Sequence, residues 1–435
     1  MTGSPATPPP ADVQPVDIAG LSKAERDALF LALPKTDLHC HLDGSLRVET
    51  VAEMARDPAV RRLAERLGFA LPEDTSSEHL RKILSPGLDC QSLEEYLLPF
   101  DVICGVLQTR EALSRAAYEL AMDAAAENVW YLEVRFAPQR HIHDDLSGLE
   151  VLRAVDDGLR RAEEETQGRI LTGILVCAMR NFHVSIGSFH RKVRRAFPYA
   201  TDRELGSLCS LDAARLAVEA KRQGLERIVG FDLAGAEADY PPSHHREAFS
   251  SCIESFLNIT VHAGEGYGPA SIQEAVTYLN AQRIGHGTRI LEEGDELLLY
   301  LRDRRVCVEV CLTSNLQTKA IPSLDKHPFR RLLDEEVRAP LCTDNRMVSD
   351  VTVTDEYRLA WEQFDMTPKE IRKTVLYGFK AGFVPYKSRR RLLLAAKARL
   401  RELGLGGQWN RAQDEALKAW NHGGARNAAA MDVED

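Results

Sequence analysis

No two cysteines in this sequence stand in Cys-x-x-Cys spacing. No apolar run approaches the ~20 residues needed to cross a bilayer, and basic residues do not outnumber acidic ones. Each absence excludes something. Without paired cysteine spacings there is no structural zinc ribbon. The nine cysteines are odd in number, and most sit in apolar runs, such as Cys177 in ILVCAM and Cys307 in VCVEV. They read as reduced core thiols of a cytoplasmic protein. A formal net charge of -10 argues against a nucleic-acid partner, which needs a basic face, although it permits a small neutral substrate. The N-terminus is rich in proline (Pro5, Pro8, Pro9, Pro10, Pro15). It lacks a basic n-region and an apolar core, so it does not read as a signal peptide. No membrane partner is expected, no internal repeat of fixed period is visible, and nothing in the pattern speaks to oligomeric state.

What is present is apolar material for a large core, 44% of 435 residues. Residues 1–17 and 421–435 read as flexible tails around a single domain over 18–420. Within it, short apolar runs alternate with longer helical patterns. The strand candidates are Thr36–His41, Trp130–Phe136, Ile170–Cys177, Ile228–Leu233, Ile259–His262, Arg283–His286, Val306–Cys311 and Ala339–Thr343. Nearly continuous apolar runs fit parallel strands covered on both faces. Leu291–Arg304 and Ser271–Ala281 read as intervening helices, and RRRLLLAAKARL, with Arg389–Arg391, as a terminal amphipathic helix. Strand and helix alternating eight times predict an α/β fold, a (β/α)8 TIM barrel; a doubly wound open sheet is the competitor. The long stretch Val48–Asn128 predicts a helical insertion after the first strand, lying over the catalytic face.

The chemistry-bearing residues collect where such a barrel keeps its active site, at the C-terminal ends of strands. The first strand ends in His39-Cys40-His41-Leu42-Asp43-Gly44, and alternation puts both histidines on one side. The fifth ends in VHAGE (His262, Glu265), the sixth in IGHG (His286), the eighth in CTDN (Asp344, Asn345). Taken singly, each has an ordinary structural reading: a His-x-His on the surface, a satisfied histidine, an aspartate capping the next helix. Four strands delivering titratable groups to one end point instead to a metal site. His39, His41, His262 and Asp344 offer three nitrogens and one oxygen, a set suited to zinc. A zinc-bound water reaches a pKa of ~7. Hydrolysis then needs a base and an acid, and His286 and Glu265 are the unassigned groups of the right types.

TDLHCHLDGSLR, EVRFAPQ, GFDLAGAE, VHAGEG, RIGHGTR, CLTSN and CTDN occur in this order, with SLEEYLLPF before the second. Together they resemble the motifs of the adenosine deaminase family, over roughly residues 30–385. The resemblance implies the same barrel. It implies zinc-dependent removal of the 6-amino group of adenosine and 2′-deoxyadenosine, releasing inosine (or deoxyinosine) and ammonia in purine salvage. It implies zinc at His39, His41, His262 and Asp344, about one per chain. Glu265 matches the residue that protonates purine N1, and His286 the base and electrostatic aid beside the attacking water. Asp43 matches the group that binds the ribose 5′-hydroxyl, with His41 near the same end. Gly235 matches a backbone N–H donor to purine N3. The family's commonest last motif has two aspartates where this chain has Asp344-Asn345. A carboxyl must be protonated to donate to purine N7, whereas an amide donates at any pH, so Asn345 is expected to preserve purine binding.

Alternatives keep the site and change the task. Relatives of wider kinship act on adenine, aminofutalosine or other 6-aminopurines. AMP deaminases add a large N-terminal region, and its absence here favours a free nucleoside. A non-catalytic barrel is disfavoured by the intact ligand, acid and base set. A two-metal esterase or lactonase is disfavoured because no lysine fits at a strand end. The His-x-Glu and Pro-Cys-x-x-Cys elements of cytidine-deaminase sites are absent.

Overall fold

A computed structural model describes residues 16–85, 87 and 99–406. The expected C-terminal tail, all but residues 16 and 17 of the N-terminal one, and most of SLEEYLLPF lie outside the described residues. Seven parallel strands form one sheet in the order β1 to β7: Lys35–His41, Val129–Phe136, Leu171–Met179, Ile228–Ala234, Asn258–Ala263, Arg283–His286 and Cys307–Glu309. A doubly wound sheet would reverse its order midway; here every strand pairs with the next in sequence, as a barrel requires.

The expected eighth strand, Ala339–Thr343, is an extended segment instead of a regular strand. It bridges Val310 to Leu341 and Cys40 to Asp344. Its hydrogen bonds include Val308 N to Arg338 O, Cys342 N to Val310 O and His41 N to Asp344 O. These close the barrel between β7 and β1. Pro340 brings no N–H to a ladder, which accounts for the irregular pairing. The ladder from β4 to β5 is also short, only Gly230 with Asn258 and Phe231 with Ile259, and side chains span the remaining gap.

Helices follow the strands, started by signals legible in the sequence. Ser147 with Glu150 and Thr201 with Glu204 form capping boxes. Two expected helices shift: one runs Glu296–Arg304, not from Leu291, and the other Pro269–Thr277, with proline in its first turn. The terminal helix is Tyr386–Glu402. The insertion after β1 holds Val48–Arg56, Pro58–Arg66, Ser77–Leu84, Pro99–Val106 and Arg110–Ala126. One of these, through Phe100, reaches the pocket at the barrel mouth. Among the described residues, the main apolar core runs from Ile18 to Leu405, with three smaller apolar clusters beside it.

Candidate active site

The strand pleat sorts the first motif as expected. His39 and His41 share one side of β1, while Cys40 turns into the apolar core, its Sγ 3.5 Å from Ser45 Oγ. Asp344 is clamped onto the same strand, since Asp344 N donates to His39 O and His41 N to Asp344 O, both at 2.7 Å. β5 carries the facing His262 one residue before its end. The donor atoms converge: His41 Nε2 lies 3.1 Å from His262 Nε2, and Asp344 Oδ1 lies 3.4 Å from His39 Nε2 and 3.3 Å from His41 Nε2. All four ligand atoms fall within 4.8 Å of one another. Ligands about 2.0–2.1 Å from a tetrahedral ion sit roughly 3.3 Å apart, so this spacing suits such an ion.

The protons of these rings are placed from behind. His39 Nδ1 lies 2.7 Å from Glu309 Oε2, and His262 Nδ1 lies 3.0 Å from Asp232 Oδ2. Carboxylates only accept, so both rings carry hydrogen on Nδ1 and aim Nε2 lone pairs at the centre. Burial pushes His39 down to about 4, with the Arg135 cation adding to it, and burial also drives His41 well down. His39 Nε2 is wholly enclosed and has no hydrogen-bond partner among the described residues. An orphaned lone pair of this kind is what a cation satisfies.

Behind the ligands lies a lattice of charges that the motifs did not reveal. Arg135 bridges Asp232 at 3.1 Å and Glu309 at 2.8 Å. Arg283 donates to Glu309 at 2.6 Å and pairs with Glu133. Thr260 Oγ1 adds a fourth donor to Glu309 at 2.9 Å. Burial disfavours the Glu309 anion, yet the Arg135 and Arg283 cations outweigh it and hold its carboxyl well below the usual range.

Glu265 follows β5, and its turn is fixed by another residue the motifs left unassigned. Glu237 Oε2 accepts the backbone N–H groups of Glu265, Gly266 and Tyr267 at 3.1, 2.9 and 2.7 Å. Burial raises the Glu265 carboxyl, with the Asp344 and Glu237 charges adding and His286 opposing. His286 Nε2 lies 3.6 Å from Glu265 Oε2. A relay sets the His286 ring. Phe329 N–H donates to His327 Nδ1, leaving the proton of a neutral His327 on Nε2, which faces Asn315 Oδ1 at 3.2 Å. Asn315 therefore turns its Nδ2 donor to His286 Nδ1, at 2.9 Å. Ser314 from the same turn donates to Asp344 Oδ2 at 2.6 Å. His286 and Asp344 both adopt left-handed backbone, at φ 66° and 63°.

Asp43, Gly235 and Asn345 line the same pocket as His41, His262, Glu265, His286 and Asp344. Its volume is about 780 Å³ including the open mouth, within the range of small-molecule sites. Gly235 sits at φ 100°, a conformation open mainly to glycine. Gly285 matters for space, because a Cβ there would meet His39 Cε1 at 2.8 Å. Phe100 and Met179 supply apolar wall.

Fold and site thus define the class: an α/β barrel with three imidazoles and a carboxylate gathered at its mouth as a candidate metal centre. The model of the adenosine deaminase family matches residues 34–208 and 195–397, and the chain belongs to that family. Adenosine deaminase 1 of Streptomyces coelicolor is 35% identical over 384 residues, covering 85% of this chain and 88% of its own. A probable adenosine deaminase of Dictyostelium discoideum is 34% identical over 81% of this chain, which spans 40% of that relative's length. Among solved structures, Arabidopsis ADAL complexed with IMP aligns with TM-score 0.69 at 27% identity, covering 86% of this chain and 98% of its own.

Proposed function

We propose that the chain hydrolyses adenosine and 2′-deoxyadenosine to inosine and deoxyinosine plus ammonia, as a step of purine salvage, with one zinc ion held by His39, His41, His262 and Asp344. The observation that carries this reading is the convergence of two carboxylate-oriented Nε2 lone pairs, His41 and Asp344 beside the Glu265–His286 pair. The donor set fits the ion: borderline nitrogens and one hard oxygen, with second partners fixing the tautomers. When bound, such an ion supplies Lewis acidity that brings the pKa of water to ~7.

The chain's own residues do the rest. Glu265, whose pKa burial raises, donates from its acid form to purine N1 and makes C6 electrophilic. Asn315 sets the His286 imidazole with its Nε2 edge toward Glu265, where it steadies the water and the developing oxygen charge. Water adds to C6 and gives one proton back to the Glu265 carboxylate; the other moves from the new C6 oxygen to the amino group, and ammonia departs as the C6 carbonyl forms. Asp43 accepts the ribose 5′-hydroxyl, with His41 near the same end. The Gly235 N–H serves purine N3, and the Asn345 amide serves N7. Residues 18–420 are read as one catalytic domain. We assign the reaction to the cytoplasm. Among the described residues, eight cysteines are free and buried, and no helix is long and apolar enough to cross a membrane.

A spectrophotometric screen of adenosine, 2′-deoxyadenosine, adenine, AMP and aminofutalosine tests the reading, run beside metal analysis. Turnover of the two nucleosides with about one zinc per chain is expected. Zinc-loaded protein that ignores both nucleosides and deaminates adenine would sink it.

A further inference from the structure

One pocket residue has no part in the reaction above. Arg140 lies in the short turn Pro138–Arg140 directly after β2, at the barrel mouth. It is the only arginine or lysine among the described residues lining the pocket. Its side chain is 13% exposed, and its one carboxylate partner among the described residues is Asp101, 3.4 Å away and itself 69% exposed. Its Nε donates to Cys104 Sγ at 3.0 Å, and its Nη1 has no hydrogen bond among the described residues. A thiol is a weak acceptor, and a solvated carboxylate at the edge of contact neutralises little. The guanidinium is therefore a largely enclosed cation with weak hydrogen-bond partners; burial disfavours its charge, but the nearby Cys104, Asp43 and Asp101 outweigh that and keep it ionised.

Its position gives it an address. Cys104 Sγ, which receives the Nε donor, groups with Asp43 and His141, their polar atoms within 4.8 Å of one another. Asp43 is the residue read above as accepting the ribose 5′-hydroxyl, and one of its carboxylate oxygens, Oδ1, is buried without a partner among the described residues. No ion pair joins Asp43 to Arg140 within 4.0 Å among the described residues. The ribose end of the pocket thus presents an acceptor and, beside it, a separate cation. A neutral nucleoside uses only the first.

Resting on the proposed purine-nucleoside reading, we propose that Arg140 is a specificity-determining residue that admits 6-aminopurine nucleosides carrying an anionic 5′ substituent, a phosphate or a carboxylate, alongside the free nucleoside. Planar guanidinium donors match both anions in two-point contact, and a half-enclosed site strengthens that contact over one in bulk water.

The test compares kcat/KM for adenosine, AMP and adenosine-5′-carboxylic acid in wild-type, Arg140→Leu and Arg140→Lys protein. Each variant is first checked for an unaltered melting curve. Expected is turnover of at least one anionic substrate by the wild type. Its kcat/KM relative to adenosine should fall at least fivefold in Arg140→Leu and partly recover in Arg140→Lys. The phosphate and carboxylate arms show which anion the site takes. A smaller fall, or a wild type that deaminates adenosine and neither anion, overturns the proposal while the deaminase reading stands. No turnover of any of the three overturns the deaminase reading. Titration calorimetry with inosine and inosine 5′-monophosphate then still decides Arg140. A preference for the monophosphate lost in Arg140→Leu upholds its role, and equal affinities refute it. Where Arg140→Leu melts early, the same comparison is read from Arg140→Gln.

Discussion

The two ends of β1 treat polar atoms in opposite ways. At its start, Lys35 Nζ is enclosed by the Phe30, Leu31 and Leu33 carbonyls, at 2.9, 3.0 and 3.1 Å. At its finish, His39 aims a buried lone pair at His41, His262 and Asp344 and finds no hydrogen-bond partner among the described residues. One end is satisfied and closes the preceding helix. The other is held unsatisfied by the lattice of Glu309, Asp232 and Arg135 behind it. The contrast teaches where to look for chemistry: at polar atoms that the fold orients and leaves without a protein partner.

The largest effect expected from this contrast is at the mouth. Glu265→Gln keeps the side chain's size and removes its proton, so turnover should drop at least ~100-fold with metal content unchanged. The wild type should lose kcat as pH rises through the raised pKa of Glu265, because the acid form is the working one, and the variant should lack that limb. Near-normal turnover would take Glu265 out of the mechanism.

Next comes the layer beneath. Glu309→Gln leaves the His39 Nδ1–H facing an amide, and metal affinity should weaken ~10–100-fold in competition with a chelator. Unaltered affinity would show that the lattice does not orient the ligands.

A smaller effect is expected at the base. If the Asn345 amide donates to N7, 7-deazaadenosine should lose roughly 1–3 kcal/mol of transition-state binding, the cost of a buried donor without an acceptor. Asn345→Asp should make turnover more sensitive to rising pH. Equal kcat/KM for adenosine and 7-deazaadenosine would leave Asn345 a helix-capping residue.

The smallest effect belongs to the closed end of β1. Burial lowers Lys35 from 10.5 to about 7, so the folded chain gives up a proton that the unfolded chain keeps. Wild-type stability should therefore rise between about pH 7 and 10.5, by at most ~1.4 kcal/mol per pH unit from this group. Lys35→Met should lack that rise in denaturant melts at pH 7.5 and 9.5. Parallel curves for the two proteins would mean that the three carbonyls hold the ammonium charged.

The sequence exposes the strand ends well, because His39, His41, His262, Glu265, His286 and Asp344 interrupt apolar runs at the places a barrel uses for chemistry. It exposes the supporting lattice less well, although a signal was there: Arg135 in LEVRF, Asp232 in GFDLA, Arg283 in QRIGH and Glu309 in VCVEV are charges inside buried strands. Such charges need partners, and these partners lie on other strands, so spacing along the chain could not pair them. The Phe329–His327–Asn315–His286 relay was hidden for the same reason. The eighth strand lies where the sequence predicts it but pairs irregularly, because Pro340 weakens a ladder without moving the segment that carries Asp344.

The left-handed backbone at His286 and Asp344 bears on how this protein can be improved. Non-glycine residues held there cost on the order of 1–3 kcal/mol each, and glycine would relieve that cost. A library screened only for heat survival would be drawn toward glycine at these two positions, gaining resistance as it loses turnover. Heat tolerance and catalysis compete here for the same two side chains, so a screen for a hardier enzyme must score product formed after heating.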